Sequence, residues 1–436
     1  VGDGSSVSLR VLLPSLAVSA SQPWFDAARF GLFVHWGPYS ARGMEPSWPL
    51  VGGSGAFPYC QDVSVAEYYR DHGSWAPPRD ACRAWLRLAK QCGMQYAVLT
   101  TKHHDGFSLF PCPRGGFGIA QSAPGRDLVA EFVEATRAEG LRVGLYFSLS
   151  DWHHADYPAF TDAMRPYPFI AYPRPEPARW ERFLADQRAQ LEHLLTSYGR
   201  IDQIWFDGGW ERRADEWRAK ELEALIRKLQ PEIVINDRLP GVGDYVSPEQ
   251  SIPATPPTGP WEVCMTMNHS WGPVAADREQ KSVRYLLTVL CEVASGGGNL
   301  LLNVSPDGEG RLLPWQRERL EGIAAWMRRH QDAVVGAERG LEPWQFFGPT
   351  TRKGNRTFLF CPMRPQEFVV ARGVHGKRIE SVRALGSDVP LGLELRLSPI
   401  DRFVRDPRCD AIISVPDEAC DPVLTVIEIQ ERAPSA

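Results

Sequence analysis

Between residues 29 and 336 the sequence alternates short, continuously apolar runs with stretches of helical period, and this alternation restricts the chain to an α/β architecture with a buried parallel sheet. The runs are Phe30–His35, Tyr96–Thr101, Val143–Ser148, Gln203–Asp207, Ile233–Asp237, Tyr245–Ser247, Val263–Met267 and Leu300–Val304, the sixth being the weakest. Between most of them lie amphipathic segments: Ala81–Gln91, Asp127–Ala138, Trp180–Leu195, Ala214–Leu229, Val283–Val293 and Pro314–Met327. Eight strand-like runs with intervening helices in about 300 residues predict a (β/α)8-like barrel.

The pattern changes after residue 336. The runs Thr357–Cys361, Glu367–Ala371, Leu393–Leu397, Ala411–Val415 and Val423–Ile429 are separated by Pro, Gly and Asp, and predict a C-terminal β-sandwich. The expected division is a catalytic barrel over 1–336 and a sandwich over 345–436, with the boundary in Gly336–Pro349. The stretch of residues 11–20 imitates a secretory signal, with Arg10 before it and Val18-Ser19-Ala20 as a cleavage-like site. Pro14 interrupts its apolar run, and Asp3 occupies what would be the basic region. It reads as the lead-in to the first domain.

Composition removes several function classes. The net charge of −5 argues against a nucleic-acid or anionic-membrane partner. The apolar stretches fall far short of the about 20 residues that span a bilayer. Nine cysteines form no CxxC pair, which argues against a zinc site. At least one of the nine has no intrachain partner, and the cysteines do not decide the compartment. Fifteen tryptophans admit two readings, core filler or platforms for the apolar faces of sugar rings. Asn268, Asn303 and Asn355 each begin a glycosylation sequon, and Asn303, at a strand end, is expected to be unmodified.

Chemistry-bearing side chains gather where a barrel places its active site, at the C-terminal ends of the strands. They include His35, His103, His104, Asp207, Arg238, Glu249 and Asn303. Asp207 closes an apolar run, where a carboxylate is either hydrogen-bonded or functional. Glu249 and Glu262 offer a second carboxylate. Two carboxylates over an aromatic, His-lined pocket equip a site for glycoside hydrolysis, one as nucleophile and one as acid/base. The competing reading is a metal site of His35, His103 and Asp207. Adjacent His103 and His104 point oppositely on an extended segment, and no HExxH is present, so no metal is expected.

Five segments then point to one family: Arg29-Phe30-Gly31-Leu32-Phe33-Val34-His35-Trp36-Gly37, Thr101-Lys102-His103-His104-Asp105-Gly106-Phe107, Trp205-Phe206-Asp207-Gly208, Trp261-Glu262 through Thr266, and Gly297-Gly298-Asn299 through Asn303. In this order they resemble the α-L-fucosidases of glycoside hydrolase family 29. The resemblance runs from about residue 24 to 330. It implies a retaining exo-α-L-fucosidase with no cofactor, acting on a fucosylated oligosaccharide or glycoconjugate. A relative acting on α-L-galactose and a non-catalytic sugar-binding protein on the same scaffold are the alternatives. The resemblance makes Asp207 the nucleophile, and His35, His103 and His104 hydroxyl ligands. Trp205 stands beside the nucleophile, Arg238 contacts sugar or carboxylate, and Tyr146 lies in a Tyr-Tyr-Ser-like motif whose second aromatic is here Phe147. Trp205 or Trp271 packs against the C6 side. Glu249, in Ser247-Pro248-Glu249-Gln250, resembles the acid/base of the branch that prefers α-1,3/4 linkages, and Glu262 competes for that role. The family's adjacent Glu-Trp pair is split here into Glu45 and Trp48 by Pro46-Ser47, which alters the expected sugar contacts. Oligomeric state and compartment are left open.

Overall fold

The computed structural model describes residues 22–52, 58–159, 161–165, 172–404 and 407–432. The signal-like stretch at residues 11–20 lies outside them. Seven parallel strands form the first sheet: β1 (Phe30–Val34), β2 (Tyr96–Lys102), β3 (Arg142–Ser148), β4 (Gln203–Asp207), β5 (Val234–Ile235), β6 (Glu262–Thr266) and β7 (Asn299–Val304). Their spatial order is β5-β4-β3-β2-β1-β7-β6, curled as a half-barrel consistent with the (β/α)8 expectation. These strands are buried along almost their whole length. Each buried Leu, Val or Phe in them contributes about 1.5–3 kcal/mol by leaving water.

The weak sixth run, Tyr245–Ser247, is not a strand. Single parallel bridges, Asn236 to Tyr245 and Val246 to Trp261, span the gap between β5 and β6 instead. The run is only three residues long. Gly243, at φ 147, precedes it, and Pro248, which has no N–H to donate, interrupts the pairing with β6, which resumes at the Glu249–Cys264 bridge.

Side chains alternate across these strands. Leu32, Val34, Ile204 and Phe206 join the core shared with the surrounding helices. Phe33, Tyr146, Trp205 and Leu301 turn inward and form a separate core inside the barrel. Gly31 has no side chain because a Cβ there would lie 2.3 Å from the Tyr96 ring. The helices fall close to the expected spans, as with Leu128–Ala138, capped by the Asp127 carboxylate on the Ala130 N–H.

The C-terminal region holds β8 (Glu338–Arg339), β9 (Thr350–Lys353), β10 (Arg356–Cys361), β11 (Phe368–His375), β12 (Ile379–Ala384), β13 (Gly392–Arg396), β14 (Arg408–Ser414) and β15 (Thr425–Glu431). They form antiparallel sheets ordered β12-β15-β10-β9-β8 and β11-β14-β13 around a core of their own. The sequence pattern missed β8, β9 and β12. β8 precedes residue 345 and already belongs to the larger sheet. The regions meet through the helix Pro314–His330, where the Trp326 indole donates to Leu424 O at 2.8 Å. All nine cysteines are free thiols. Among the described residues no helix is long and apolar enough to cross a membrane.

Candidate active site

Above the inward-facing core, at the C-terminal ends of the strands, lies a cavity of about 650 Å³. β1 contributes Phe33 and, just beyond its end, His35. The loop after it contributes Trp48. β2 leads to His103, β3 carries Tyr146, and β4 carries Trp205 and Asp207. The segment between β3 and β4 supplies Tyr172, and segments after β4 supply Trp210, Arg238, Glu249, Cys264 and Trp271.

Asp207 sits at the base of this cavity. Its Oδ2 accepts from the Tyr146 hydroxyl at 3.0 Å, and its Oδ1 accepts from Arg238 Nη1 at 3.1 Å. Burial acts to raise its pKa, but Arg238, His104 and the Gly208 N–H outweigh it and hold the carboxyl below its ordinary value. Asp207 is thereby held as an anion. Gly208 allows the turn after it: φ is 72°, and a Cβ there would lie 2.3 Å from Ser150 Oγ.

Arg238 also donates through Nη2 to Glu249 Oε2 at 2.7 Å. One guanidinium thus holds both carboxylates, and its face lies 4.6 Å over the Trp205 ring. Its own pKa is raised: burial opposes the charge, and the two carboxylates prevail. The Glu249 side chain is 33 % exposed and faces the cavity mouth. The backbone after it is pinned, with the Gln250 N–H donating to Cys264 O at 2.9 Å.

The histidines are held neutral. Burial lowers His35 to about 3, and its Nδ1 meets Asn303 Oδ1 at 2.7 Å. Burial also puts His103 well below its ordinary value. Its ring lies parallel to Tyr146, and its Nδ1 meets Ser47 Oγ at 2.5 Å. Ser47 adopts φ 60°, a strained conformation for a residue with a side chain, and its hydroxyl also accepts the Asp105 N–H at 2.8 Å. His104 is lowered to about 4, again by burial first. It does not line the cavity. It stands behind Asp207, with Nδ1 on Ser148 Oγ at 2.6 Å and Nε2 3.7 Å from Asp207 Oδ2. His103, His104 and Asp207 bring potential ligand atoms within 4.8 Å of one another. The Arg238 cation already occupies one Asp207 oxygen, an unfavourable neighbour for a second cation.

Glu262 is not brought to the cavity, contrary to its expected substrate contact. It is fully buried at the opposite end of the barrel interior. It accepts from the Tyr96 hydroxyl, from the Trp205 indole at 2.9 Å and from Gln203 Nε2. Burial raises its pKa. Its position at the start of β6 places it in the bottom layer, where it fixes the Trp205 ring from below.

Glu45 and Trp48 part company, as the intervening Pro46-Ser47 predicts. Trp48 lines the cavity. The buried Glu45 instead accepts the N–H groups of Trp271 at 2.7 Å and Gly272 at 3.0 Å, which fixes the Trp271 segment over the site. Burial lifts its pKa to about 7. Phe147 turns outward beneath the Lys102 ammonium, 4.5 Å away, so the hydroxyl on this strand belongs to Tyr146. Asn303, buried between His35 and the Trp271 carbonyl, is inaccessible to glycosylation, as expected.

Sequence reasoning missed Phe33, Ser47, Tyr172, Trp210 and Cys264. Phe33 was recoverable, since it stands two residues before His35 and shares its face. Trp210, exposed at 43 %, follows the Asp207 turn directly, and its ring lies parallel to Trp48 at 6.3 Å. Cys264 sits on the same face of β6 as Glu262. The approach of Ser47 and Tyr172 comes from loop packing that no local pattern signals.

Two carboxylates on one guanidinium, beside an aromatic pocket open at the strand ends, are the equipment of a glycoside hydrolase. The family profile described as Alpha-L-fucosidase matches residues 11–332. The tissue alpha-L-fucosidase of Bos taurus is 31 % identical over 354 residues, 76 % of this chain and 72 % of that protein. Alpha-L-fucosidase isoenzyme 1 from Paenibacillus thiaminolyticus superimposes with a TM-score of 0.81 at 33 % identity, covering 94 % of this chain and 98 % of that one. A Bacteroides thetaiotaomicron alpha-L-fucosidase, solved as a trapped covalent intermediate with 2-fluoro-fucosyl fluoride, superimposes with a TM-score of 0.78 at 26 % identity, covering 94 % and 96 %. The chain belongs to the α-L-fucosidase family.

Proposed function

We propose that this protein is a retaining exo-α-L-fucosidase in which Asp207 is the nucleophile and Glu249 the acid/base. The observation that carries the assignment is the shared Arg238 contact, 3.1 Å to Asp207 and 2.7 Å to Glu249. In the first step Asp207 attacks C1 of a terminal fucose while Glu249 gives its proton to the departing glycosidic oxygen. The C1–O bond breaks as the Asp207 ester forms. Glu249, now a carboxylate, takes a proton from water, whose oxygen attacks C1 and releases Asp207. Two inversions leave the configuration retained. Before the first step the Arg238–Glu249 contact must open, because Glu249 has to arrive protonated at the leaving oxygen.

His35 and His103 face the sugar hydroxyls, and Tyr146 with Arg238 steadies Asp207. Phe33, Trp205 and Trp271 supply the apolar wall that suits the C6 methyl. The motif around Glu249 supports a preference for α-1,3/4 linkages. We also read the chain as a catalytic domain over 1–336 and a sandwich domain over 345–436, supported by the sandwich's second core around Val369, Ala411 and Ile427, while Phe358, Phe360, Leu424 and Val426 join the barrel's core and dock the two regions. A substrate panel tests the activity: aryl α-L-fucoside, aryl α-L-galactoside, 2′-fucosyllactose and Lewis-type trisaccharides. The fucoside and the Lewis sugars should be cleaved fastest. A galactoside cleaved faster than the fucoside would overturn the reading.

A further inference from the structure

The β-sandwich carries a second cleft, of about 570 Å³, that shares no residue with the barrel cavity. Its walls come from Trp344 and Gln345, from Arg372, from the end of β13 at Arg396, and from Arg408 and Asp410 of β14. Trp344 is 74 % exposed, an unusual position for the largest apolar side chain. Three features show that the cleft is built rather than incidental. The pairing of β11 with β14 breaks between Ala371 and Val374, and the resulting bulge holds Arg372 and Gly373. A bulge re-aims its side chain, here to the cleft beside Trp344. The Arg372 N–H donates to Gln345 O, and Gln345 Nε2 returns a bond to Arg372 O, both at 2.8 Å, which locks the tryptophan segment to the bulge. Arg408 and Asp410 share one face of β14, and Arg396 pairs in register with Asp410.

The charge here is opposite to that of the whole chain. Arg372 and Arg396 meet one carboxylate, Asp410, and the Arg396–Asp410 contact is loose, at 3.9 Å. Among the described residues no carboxylate pairs with the Arg372 guanidinium. Guanidinium forks match the planar or tetrahedral oxygens of carboxylates and sulfate esters, and an exposed indole stacks on the apolar face of a sugar ring. We propose that this cleft is a non-catalytic binding site for an anionic saccharide, one carrying sulfate-ester or carboxylate groups, with Trp344 as the ring platform and Arg372 and Arg396 as the anion ligands. The site is independent of the activity assigned to the barrel.

The test is calorimetric titration of the full chain with three non-fucosylated probes: a sulfated galactan tetrasaccharide, an oligogalacturonate and a neutral galactan oligosaccharide. Phosphatidylglycerol vesicles serve as the fourth arm. One of the two charged saccharides should bind at least about tenfold tighter than the neutral one, and the arm that binds identifies sulfate or carboxylate as the ligand. Trp344→Ala and Arg372→Gln should each weaken that binding by about tenfold or more. Both leave hydrolysis of an aryl fucoside unchanged, since neither touches the barrel cavity. The proposal is overturned by the absence of charged-saccharide binding. It is equally overturned if binding persists in Trp344→Ala and responds to salt alone, or if only the vesicles bind.

Discussion

Arg238 donates to Asp207 at 3.1 Å with one guanidinium nitrogen while the other is committed elsewhere, so the nucleophile's charge is balanced by a cation that cannot leave it freely. Removing the carboxylate should therefore abolish covalent catalysis and leave the cavity standing. Asp207→Ala is expected to lose several orders of magnitude in kcat on an aryl fucoside. Azide should restore part of the rate and yield fucosyl azide of inverted configuration. Near wild-type turnover in this variant would exclude Asp207 as the nucleophile.

Glu249 and Glu262 separate cleanly by position. Glu249 faces the cavity mouth, whereas Glu262 lies under Trp205 with Tyr96 and Gln203 as further donors. Glu249→Ala should lose far more activity on a natural oligosaccharide than on a nitrophenyl fucoside, whose leaving group needs little protonation. Azide should accelerate release of the trapped intermediate with retained configuration. Glu262→Ala should instead strip several buried donors of their acceptor and cost about 2–4 kcal/mol of stability, read from urea unfolding. If Glu262→Ala gives the azide pattern at unchanged stability, the two roles are exchanged.

The pocket's reliance on neutral histidines sets a pH response. An exposed histidine titrates near 6.5. Burial lowers His35 to about 3 and His104 to about 4. The unfolded chain therefore binds more protons than the folded one across that interval. Their contribution to stability is complete above about pH 6.5 and is lost as pH falls toward 4 and then 3. Glu45 and Glu211 act in the other direction. Burial raises both to about 7, so their contribution is complete below about 4.5 and is lost as pH rises through 7. Thermal unfolding from pH 7 to pH 4 should show a smaller acid loss for His35→Gln than for wild type. Identical slopes in the two proteins would contradict the buried neutral state of His35.

The strand ends were legible because a buried parallel strand must be apolar until it meets solvent, so the first polar residue marks the active face. That logic found His35, Asp207 and Asn303 directly. It misplaced Glu262, because Trp261-Glu262 begins its strand, and a barrel strand's first residues face the closed bottom layer. The sixth run is reduced to isolated bridges, because Pro248 lacks the N–H that would join the Val246–Trp261 bridge to the Glu249–Cys264 bridge. Ser47 and Tyr172 were invisible for another reason: only the folded loops bring Tyr172 to the cavity and Ser47 behind His103.

Chelation separates the carboxylate mechanism from a metal site, whether of His35, His103 and Asp207 as the sequence suggests or of His103, His104 and Asp207 as the structure groups them. Both groups proposed to do the chemistry are carboxyls, and Arg238 supplies the cation beside Asp207. Prolonged dialysis against EDTA should leave kcat/KM on an aryl fucoside unchanged. A loss that added zinc restores would replace the two-carboxylate mechanism.

Trp210 is the rim residue whose function is most open to measurement. Its ring lies parallel to Trp48, 6.3 Å away at 10°, and meets the His104 ring edge-on at 5.3 Å. The next residue, Glu211, is buried and accepts from the Trp152 indole at 2.8 Å and from the Tyr157 hydroxyl, so the loop does not collapse when the indole is removed. An aromatic platform at the mouth meets the part of the substrate beyond the cleaved bond, which a methyl fucoside lacks. Trp210→Ala should therefore lower kcat/KM about tenfold on a Lewis-type trisaccharide, in line with the loss of one aromatic contact. It should change the value for methyl α-L-fucoside by less than about twofold, with thermal stability preserved. An equal loss on both substrates would place Trp210 at the fucose itself rather than at the leaving group.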